Sequence, residues 1–411
     1  LTCSSPPTIM EEKKTLDKKR RKIKVRHMKE FSFSTRIYFG EGALARLRQV
    51  EGRRVFLVTD KFMVTSGVAD RVASYLTDCQ VTVYSDVVPD PPITNVVSGV
   101  QALLASGADV MIALGGGSAI DAAKAIRAVA ADTPGVGEIR EAFAIPTTSG
   151  TGSEVTDYSV ITDPEKGVKY PLTDKTLQPP VAILDPELVV TVPAAITADT
   201  GMDVLTHAVE AYVSTGFNDF SDAMAEKAVS LVCRWLPVAY ADGKNLLARE
   251  KMHNASCMAG LAFNSAGLGL VHGIAHALGA KLHLPHGRAN AIVLPHVLRY
   301  NAELQDPKGG DYSLPARKYQ RLAKVLDLLP AHTALLGASN FIREVETLSK
   351  TVRIPATLRE AGVDMDLYRA NRDAIIQAAL ADKCTAANPR VPTVADVSAI
   401  LDAVSGEKRG I

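Results

Sequence analysis

The sequence predicts an α/β domain, a Rossmann-like variant with a parallel sheet, followed by an all-helical domain. Three observations carry that expectation. Up to Pro193, short continuous apolar runs alternate with helix-like segments. Strands buried on both faces read this way, and alternation with helices implies parallel strands joined by crossovers. Two of the runs lead into polar turns, Gly115-Gly116-Gly117-Ser118 and Pro146 to Glu154, at the strand ends where open α/β sheets bind ligands. Beyond Pro193 the strand-like runs stop, and alanine- and leucine-rich stretches of helical length follow to the C-terminus.

Taken in order, residues 1–30 are a separate matter. They carry ten Lys/Arg against four acids, a local charge of +6, on a body of 36 basic and 41 acidic residues, or −5. The segment has neither the apolar core of a secretory signal nor a helical stripe. A solvated, disordered tail is expected, with a docking peptide for a larger assembly as the alternative. The whole chain of 411 residues has a net charge of only +1, which argues against a dedicated nucleic-acid binder.

The α/β domain is expected over residues 31–193. Val55–Thr59, Val81–Tyr84, Val110–Leu114, Phe143–Ile145 and Val181–Leu184 read as strands, and Ala119–Ala131 as the helix after the glycines. The helical domain is expected over residues 194–411. Its clearest segments are Thr197–Ser214, Asp219–Tyr240, Leu246–Phe263, Leu268–Leu282 and Tyr319–Asp327. Met252 to Ala280 contains no charged residue and is long enough to span a bilayer. It also holds His253, Asn254, Asn264, His272 and His276, which are costly in lipid, so a buried helical hairpin in a soluble core is expected, and no membrane partner. Five dispersed cysteines without CxxC spacing read as free thiols in a reducing, cytoplasmic compartment.

The glycine turn joins a strand to a helix. Glycines let the backbone approach a pyrophosphate, and the helix N-terminus offers unpaired N–H groups. Neither GxGxxG nor GK[ST] is present, so a tight strand–helix joint is the competing reading. The hydroxyls of Thr147, Thr148, Ser149, Thr151 and Ser153 form a second polar turn, which could equally cap backbone groups. Asp60 ends a strand, where a carboxylate can accept both hydroxyls of an adenosine ribose or cap the next helix. It precedes the glycine loop by 55 residues, whereas in the usual order an acid follows by about 20.

The strongest chemistry lies in the helical half. Asp203 and His207 are spaced i,i+4, as are His272 and His276, and His286 follows. Several imidazoles and one carboxylate in apolar surroundings point to a divalent metal, iron(II) or zinc, with a position left for substrate. His253, His283, His296 and His332 lack a partner at ligand spacing and read as ordinary histidines.

Together these motifs resemble the iron-containing alcohol dehydrogenase family from Phe31 onward. The resemblance rests on Gly115 to Ser118 with Asp121 and Lys124, on Pro146 to Glu154, on Gly201 to His207 and on Gly269 to Asn290. It implies metal ligation by Asp203, His207, His272 and His286, and a non-ligand catalytic His276 beside the nicotinamide. It implies NAD(H) contacts at Asp60, Gly116, Gly117, Ser118, Thr147, Thr148 and Lys169. Phe31–Leu44, Val160–Leu172 and Met252–Leu270 are most similar to the family's propanol-forming branch, which serves propanediol-utilising microcompartments. Met28 aligns with the family's usual start, making residues 1–27 an addition. Asp90 stands where many relatives have asparagine. The implied activity is reversible, NADH-dependent reduction of a short-chain aldehyde to its primary alcohol, with Fe2+ or Zn2+. A lactaldehyde- or glycerol-type reductase, and a dehydroquinate synthase-like metal lyase, are the alternatives. A homo-oligomer and contacts with a microcompartment shell or its enzymes are the implied partners.

Overall fold

The computed structural model describes residues 30–135, 137–165, 168–305 and 311–407. The basic segment on which the tail expectation rests lies, up to residue 29, outside the described residues.

Eight strands form among the described residues, β1 (Arg36–Phe39), β2 (Arg54–Asp60), β3 (Gln80–Val87), β4 (Val110–Gly115), β5 (Glu141–Pro146), β6 (Tyr158–Asp163), β7 (Val168–Thr173) and β8 (Val181–Leu184). Six of them make a parallel sheet in the order β1-β8-β5-β4-β2-β3. β6 and β7 pair antiparallel as a separate hairpin. Four helices accompany the sheet, α1 (Lys61–Thr65), α2 (Val68–Ala73), α3 (Ile93–Ser106) and α4 (Gly117–Ala131). α4 begins two residues before the expected Ala119, drawing Gly117 and Ser118 into its first turn.

The central strands are apolar throughout because both faces are covered. Phe56 and Val58 pack with Val96, Val100 and Ile120 on one side, while Val55 and Leu57 pack with Leu44, Leu47 and Val72 on the other. After β3 the chain returns across β2 to form β4, so the strand order reverses between β2 and β4. That reversal opens a crevice at the carboxyl ends of the two strands. Asp60 and Gly115 stand at those ends, and Gly115 lies in register with Pro146 of β5. The two polar turns are therefore neighbours.

The second half is helical, with α5 (Ala194–Val213), α6 (Asp219–Ala241), α7 (Leu246–Ala266), α8 (Leu270–Leu282), α9 (His286–Ala302), α10 (Leu314–Val325), α11 (Ala334–Thr351), α12 (Met365–Ala381) and α13 (Val394–Ser405). α6 starts where Asn218 and Ser221 satisfy each other's backbone N–H groups in a capping box. α5 is buried along most of its length and packs against α6, α7 and α9. The uncharged Met252–Ala280 stretch is not the expected hairpin. It turns a corner of 105° between α7 and α8, because α8 must run across to meet α9 and α12. No single helix among the described residues is long and apolar enough to cross a membrane. The four described cysteines, Cys79, Cys233, Cys257 and Cys384, are free.

Residues from Phe33 onward form one compact unit in which the sheet and the helices share a tight seam. Val155, Ala182 and Leu184 meet Cys257 and Leu261 there. Gly152, at φ +62°, sits directly on α7: a Cβ at this position would lie 2.7 Å from the Cα of Gly260. The backbone angle and the close approach both require glycine.

Candidate active site

α5, α8 and α9 bring the metal candidates together. Helical spacing puts Asp203, His207 and Glu210 on one buried face of α5. His272 lies in the first turn of α8, and His286 opens α9. Asp203 Oδ1 stands 3.9 Å from His207 Nε2, 3.8 Å from His272 Nε2 and 3.5 Å from His286 Nε2. One ligand atom from each of the four residues fits within 4.8 Å of the others. A tetrahedron with metal–ligand bonds of about 2.1 Å has edges of about 3.4 Å, so this spacing suits a divalent cation.

The polar atoms lining this point have no adequate partner within the protein. Asn290 Nδ2 lies 2.7 Å from Asp203 Oδ1 and 3.2 Å from both His272 Nε2 and His286 Nε2. An amide nitrogen has two protons for these three acceptors. The Asn290 Oδ1 atom is buried without a hydrogen-bond partner. Lone pairs converging on one buried point fit a cation.

Burial keeps the imidazoles in the ligating, neutral form. It pushes His272 well below the usual histidine range, with His207, His286 and His276 adding to the effect. It lowers His207 too, against the opposing pull of Asp203 and the Gly150 backbone. Burial pushes His286 down as well, to about 4, although its side chain stands at the mouth, 43% exposed.

Glu210 is a site residue the sequence reasoning missed. Its Oε2 lies 2.6 Å from His272 Nδ1, and its Oε1 accepts the Val271 N–H at 2.6 Å. Burial pushes its carboxyl up to about 8. With the proton of the pair on Nδ1, His272 presents Nε2 toward Asp203 and the other ligands, the usual arrangement behind a metal-bound histidine. Its i,i+7 spacing from Asp203 was the available signal. Glu210→Gln, which keeps the side-chain volume, is expected to weaken iron retention about 10- to 100-fold in chelator competition. Equal retention by the two proteins would dismiss this role.

The cofactor candidates gather at the crevice. Gly115 adopts φ +146°, and a Cβ there would meet Ala119 Cβ at 2.7 Å, so only glycine fits this turn. The first turn of α4 then offers N–H groups outside the helix ladder. The structure shows the capping role of Asp60 and leaves one of its oxygens facing the glycine loop. Its Oδ1 caps α1 through the Met63 N–H at 3.0 Å, and its Oδ2 lies 3.6 Å from where a Gly115 Cβ would be.

The hydroxyl turn divides in two. Ser149 Oγ is 2.9 Å from His253 Nδ1, and Thr151 Oγ1 accepts the Ser153 N–H at 3.3 Å. Ser153 donates to Asp121 at 2.6 Å and accepts from Lys124 Nζ at 2.9 Å. These three hydroxyls are internal supports. Thr147 and Thr148 remain beside the glycine loop, the first through its N–H to the Gly115 carbonyl and the second across from Gly116. Lys124 also reaches Thr156 and the Tyr158 carbonyl, tying α4 to β6, and burial lowers its pKa to about 8.

Lys169 does not reach the glycine loop directly. Its ammonium pairs with Asp90 Oδ1 at 2.6 Å, and the Asp90 N–H donates to Ser118 Oγ at 3.3 Å. Asp90 thus links β7 to the loop. His276 stacks on His286 at 5.3 Å, and its Nδ1 lies 2.9 Å from Asp382 Oδ2. His253 is buried against Ser149, while His283 only ends α8, exposed and at φ +54°.

Comparison with known proteins agrees with this plan in both halves. Residues 34–186 match the family model for iron-containing alcohol dehydrogenase, and residues 197–405 match that for the family's C-terminal region. The chain is 47% identical over 379 residues to 1-propanol dehydrogenase PduQ of Citrobacter freundii, covering 91% of this chain and 98% of that protein. Among solved structures, a 1,3-propanediol oxidoreductase superposes with a TM-score of 0.83 at 35% identity, over 92% of this chain and 99% of that one. Sulfoacetaldehyde reductase from Bifidobacterium kashiwanohense, in complex with NAD+, superposes with a TM-score of 0.80 at 27% identity, over 93% and 100%. A nucleotide crevice beside a His/Asp metal cluster defines a metal-dependent dehydrogenase. The chain belongs to the iron-containing alcohol dehydrogenase family.

Proposed function

We propose that the chain is an NADH-dependent iron enzyme that reduces a short-chain aldehyde, propionaldehyde or one close to it, to the primary alcohol, reversibly. The observation that carries this reading is the convergence of Asp203, His207, His272 and His286 within 4.8 Å. The propanol-forming relative supports the substrate class, and the NAD+ complex supports the cofactor.

In this reading the four residues hold Fe2+, with Zn2+ an acceptable substitute for the same donors. Bound iron supplies Lewis-acid polarisation of a carbonyl oxygen. Asp203 reduces the positive charge of an otherwise imidazole site. Gly116, Gly117 and Ser118 cradle the pyrophosphate of NAD(H), Asp60 accepts the adenosine ribose hydroxyls, and Thr147 and Thr148 line the way to the nicotinamide. Lys169 acts through Asp90 on Ser118. NADH held there would supply the hydride for the carbonyl carbon. His276 gives the product alkoxide its proton and recovers one from solvent, to which it is open. The balance is aldehyde, NADH and a proton to alcohol and NAD+.

We further propose a homo-oligomer working in the cytoplasm, within a propanediol-utilising microcompartment. The likeness to the propanol-forming branch and the basic residues 1–27 ahead of the enzyme body support that setting. The experiment is anaerobic purification, iron loading and an aldehyde panel with NADH and NADPH. Stoichiometric NADH oxidation with propionaldehyde is expected. Retention of NAD without net oxidation would favour the dehydroquinate synthase-like alternative, and a preference for lactaldehyde would move the substrate within the family.

A further inference from the structure

The geometry points to Asp382 as the residue that positions His276, an inference resting on the proton-donor reading of that histidine. Asp382 follows the last turn of α12, and both its carboxylate oxygens are engaged. Oδ1 accepts the Cys384 N–H at 2.8 Å, and Oδ2 faces His276 Nδ1 at 2.9 Å.

The backbone beneath Asp382 is held in turn. The Thr385 hydroxyl donates to the Ala379 carbonyl at 2.7 Å. Asn388 Oδ1 accepts the Leu270 N–H at the start of α8 at 3.2 Å, and Asn388 Nδ2 donates to Asn301 of α9 at 2.9 Å. Residues 382–388 therefore form a strap across the helix that carries His272 and His276.

His276 needs such a support. Its side chain is 43% exposed, so core packing does not hold the ring. The torsion that turns an imidazole is broad and roughly two-fold. Without a partner at Nδ1, either nitrogen could face the cleft. A carboxylate at Nδ1 fixes that nitrogen as the donor and leaves Nε2 to release and regain a proton. Cys384 lies in the same cluster, where burial, with Asp382 and Glu210 nearby, pushes its thiol well up.

The test compares Asp382→Ala, Asp382→Asn, His276→Ala and the double variant His276→Ala/Asp382→Ala, all loaded with iron. In Asp382→Ala, iron per chain and the melting temperature stay at wild-type values. Its kcat falls roughly 10- to 100-fold, part of the about 10²–10⁴ that a positioned proton-transfer group contributes, while KM for NADH and propionaldehyde barely moves. Asp382→Asn, which retains an acceptor, recovers part of the loss. Removing Asp382 from His276→Ala costs nothing further, since the two act as a unit. Losses that multiply in the double variant, or iron lost along with activity, would overturn the assignment. A crystal structure of metal-free Asp382→Ala supplies a readout free of turnover, with the His276 ring released from its native orientation. An unmoved ring overturns the positioning role. A wild-type protein that fails to oxidise NADH with aldehyde overturns the proposed function instead, and the ring orientation still decides the role of Asp382.

Discussion

Replacing His272 by alanine is expected to abolish iron retention and aldehyde turnover together. His272 is the deepest of the four proposed ligands, 1% exposed, and sits between Asp203 and Glu210. Its loss leaves Glu210 without the imidazole it faces and breaks the ligand set. Lewis-acid stabilisation of a developing alkoxide amounts to several kcal/mol, so the fall in kcat/KM should reach about three orders of magnitude or more. Metal analysis of the purified variant, run beside NADH oxidation with propionaldehyde, checks both halves of the expectation. Full activity with this imidazole missing would remove His272 from the ligand set.

Replacing Asp60 by glycine is expected to turn the cofactor preference toward NADPH. The Oδ2 atom points at the glycine loop from the end of β2, where an adenosine ribose would meet it. A carboxylate there accepts the 2′- and 3′-hydroxyls and repels a 2′-phosphate. Hydrogen bonds to a charged group contribute about 1.5–3 kcal/mol, so kcat/KM for NADH should fall about 10- to 100-fold. The value for NADPH should rise as the repulsion disappears. Because Oδ1 also caps α1, Asp60→Asn serves as the companion: it can keep the cap while losing the charge. An unchanged NADH-to-NADPH ratio in both variants would refute the ribose role.

How far the residues disclosed all this beforehand depended on burial and on sequence distance. β2, β4 and β8 were legible as continuous apolar runs because both of their faces are covered. β1 escaped notice because its four residues are half-buried or exposed, and the β6–β7 hairpin mixes charged and polar residues with apolar ones. Of the four metal candidates, Asp203 and His207 were visible as a pair at helical spacing and His272 through its pairing with His276, while His286 stood out only as the next histidine in apolar surroundings. Glu210, Asn290 and Asp382 did not stand out, since each meets its partner across 62, 87 and 106 residues respectively. Glu210 alone carried a periodic cue, its i,i+7 spacing from Asp203, and the roles of all three arise only when helices cross. Lys169 entered through the resemblance alone, and its ion pair with Asp90 is a partner that no local pattern announces.

The contact of Gly152 with Gly260 bears on how the two halves of the chemistry stay in step. One glycine belongs to the turn that begins with Thr147 and Thr148, the other to the helix that leads into the metal-bearing corner. Where they touch, backbone meets backbone with no side chain between. A side-chain contact could adjust by changing rotamer, but this one has nothing to adjust. In the proposed reaction the span between hydride donor and acceptor would be gauged by a spacer of zero thickness. A single methyl group added at Gly152 or Gly260 would act as a shim, lifting the nucleotide shelf from the metal floor. It would register as slower transfer at undiminished iron content.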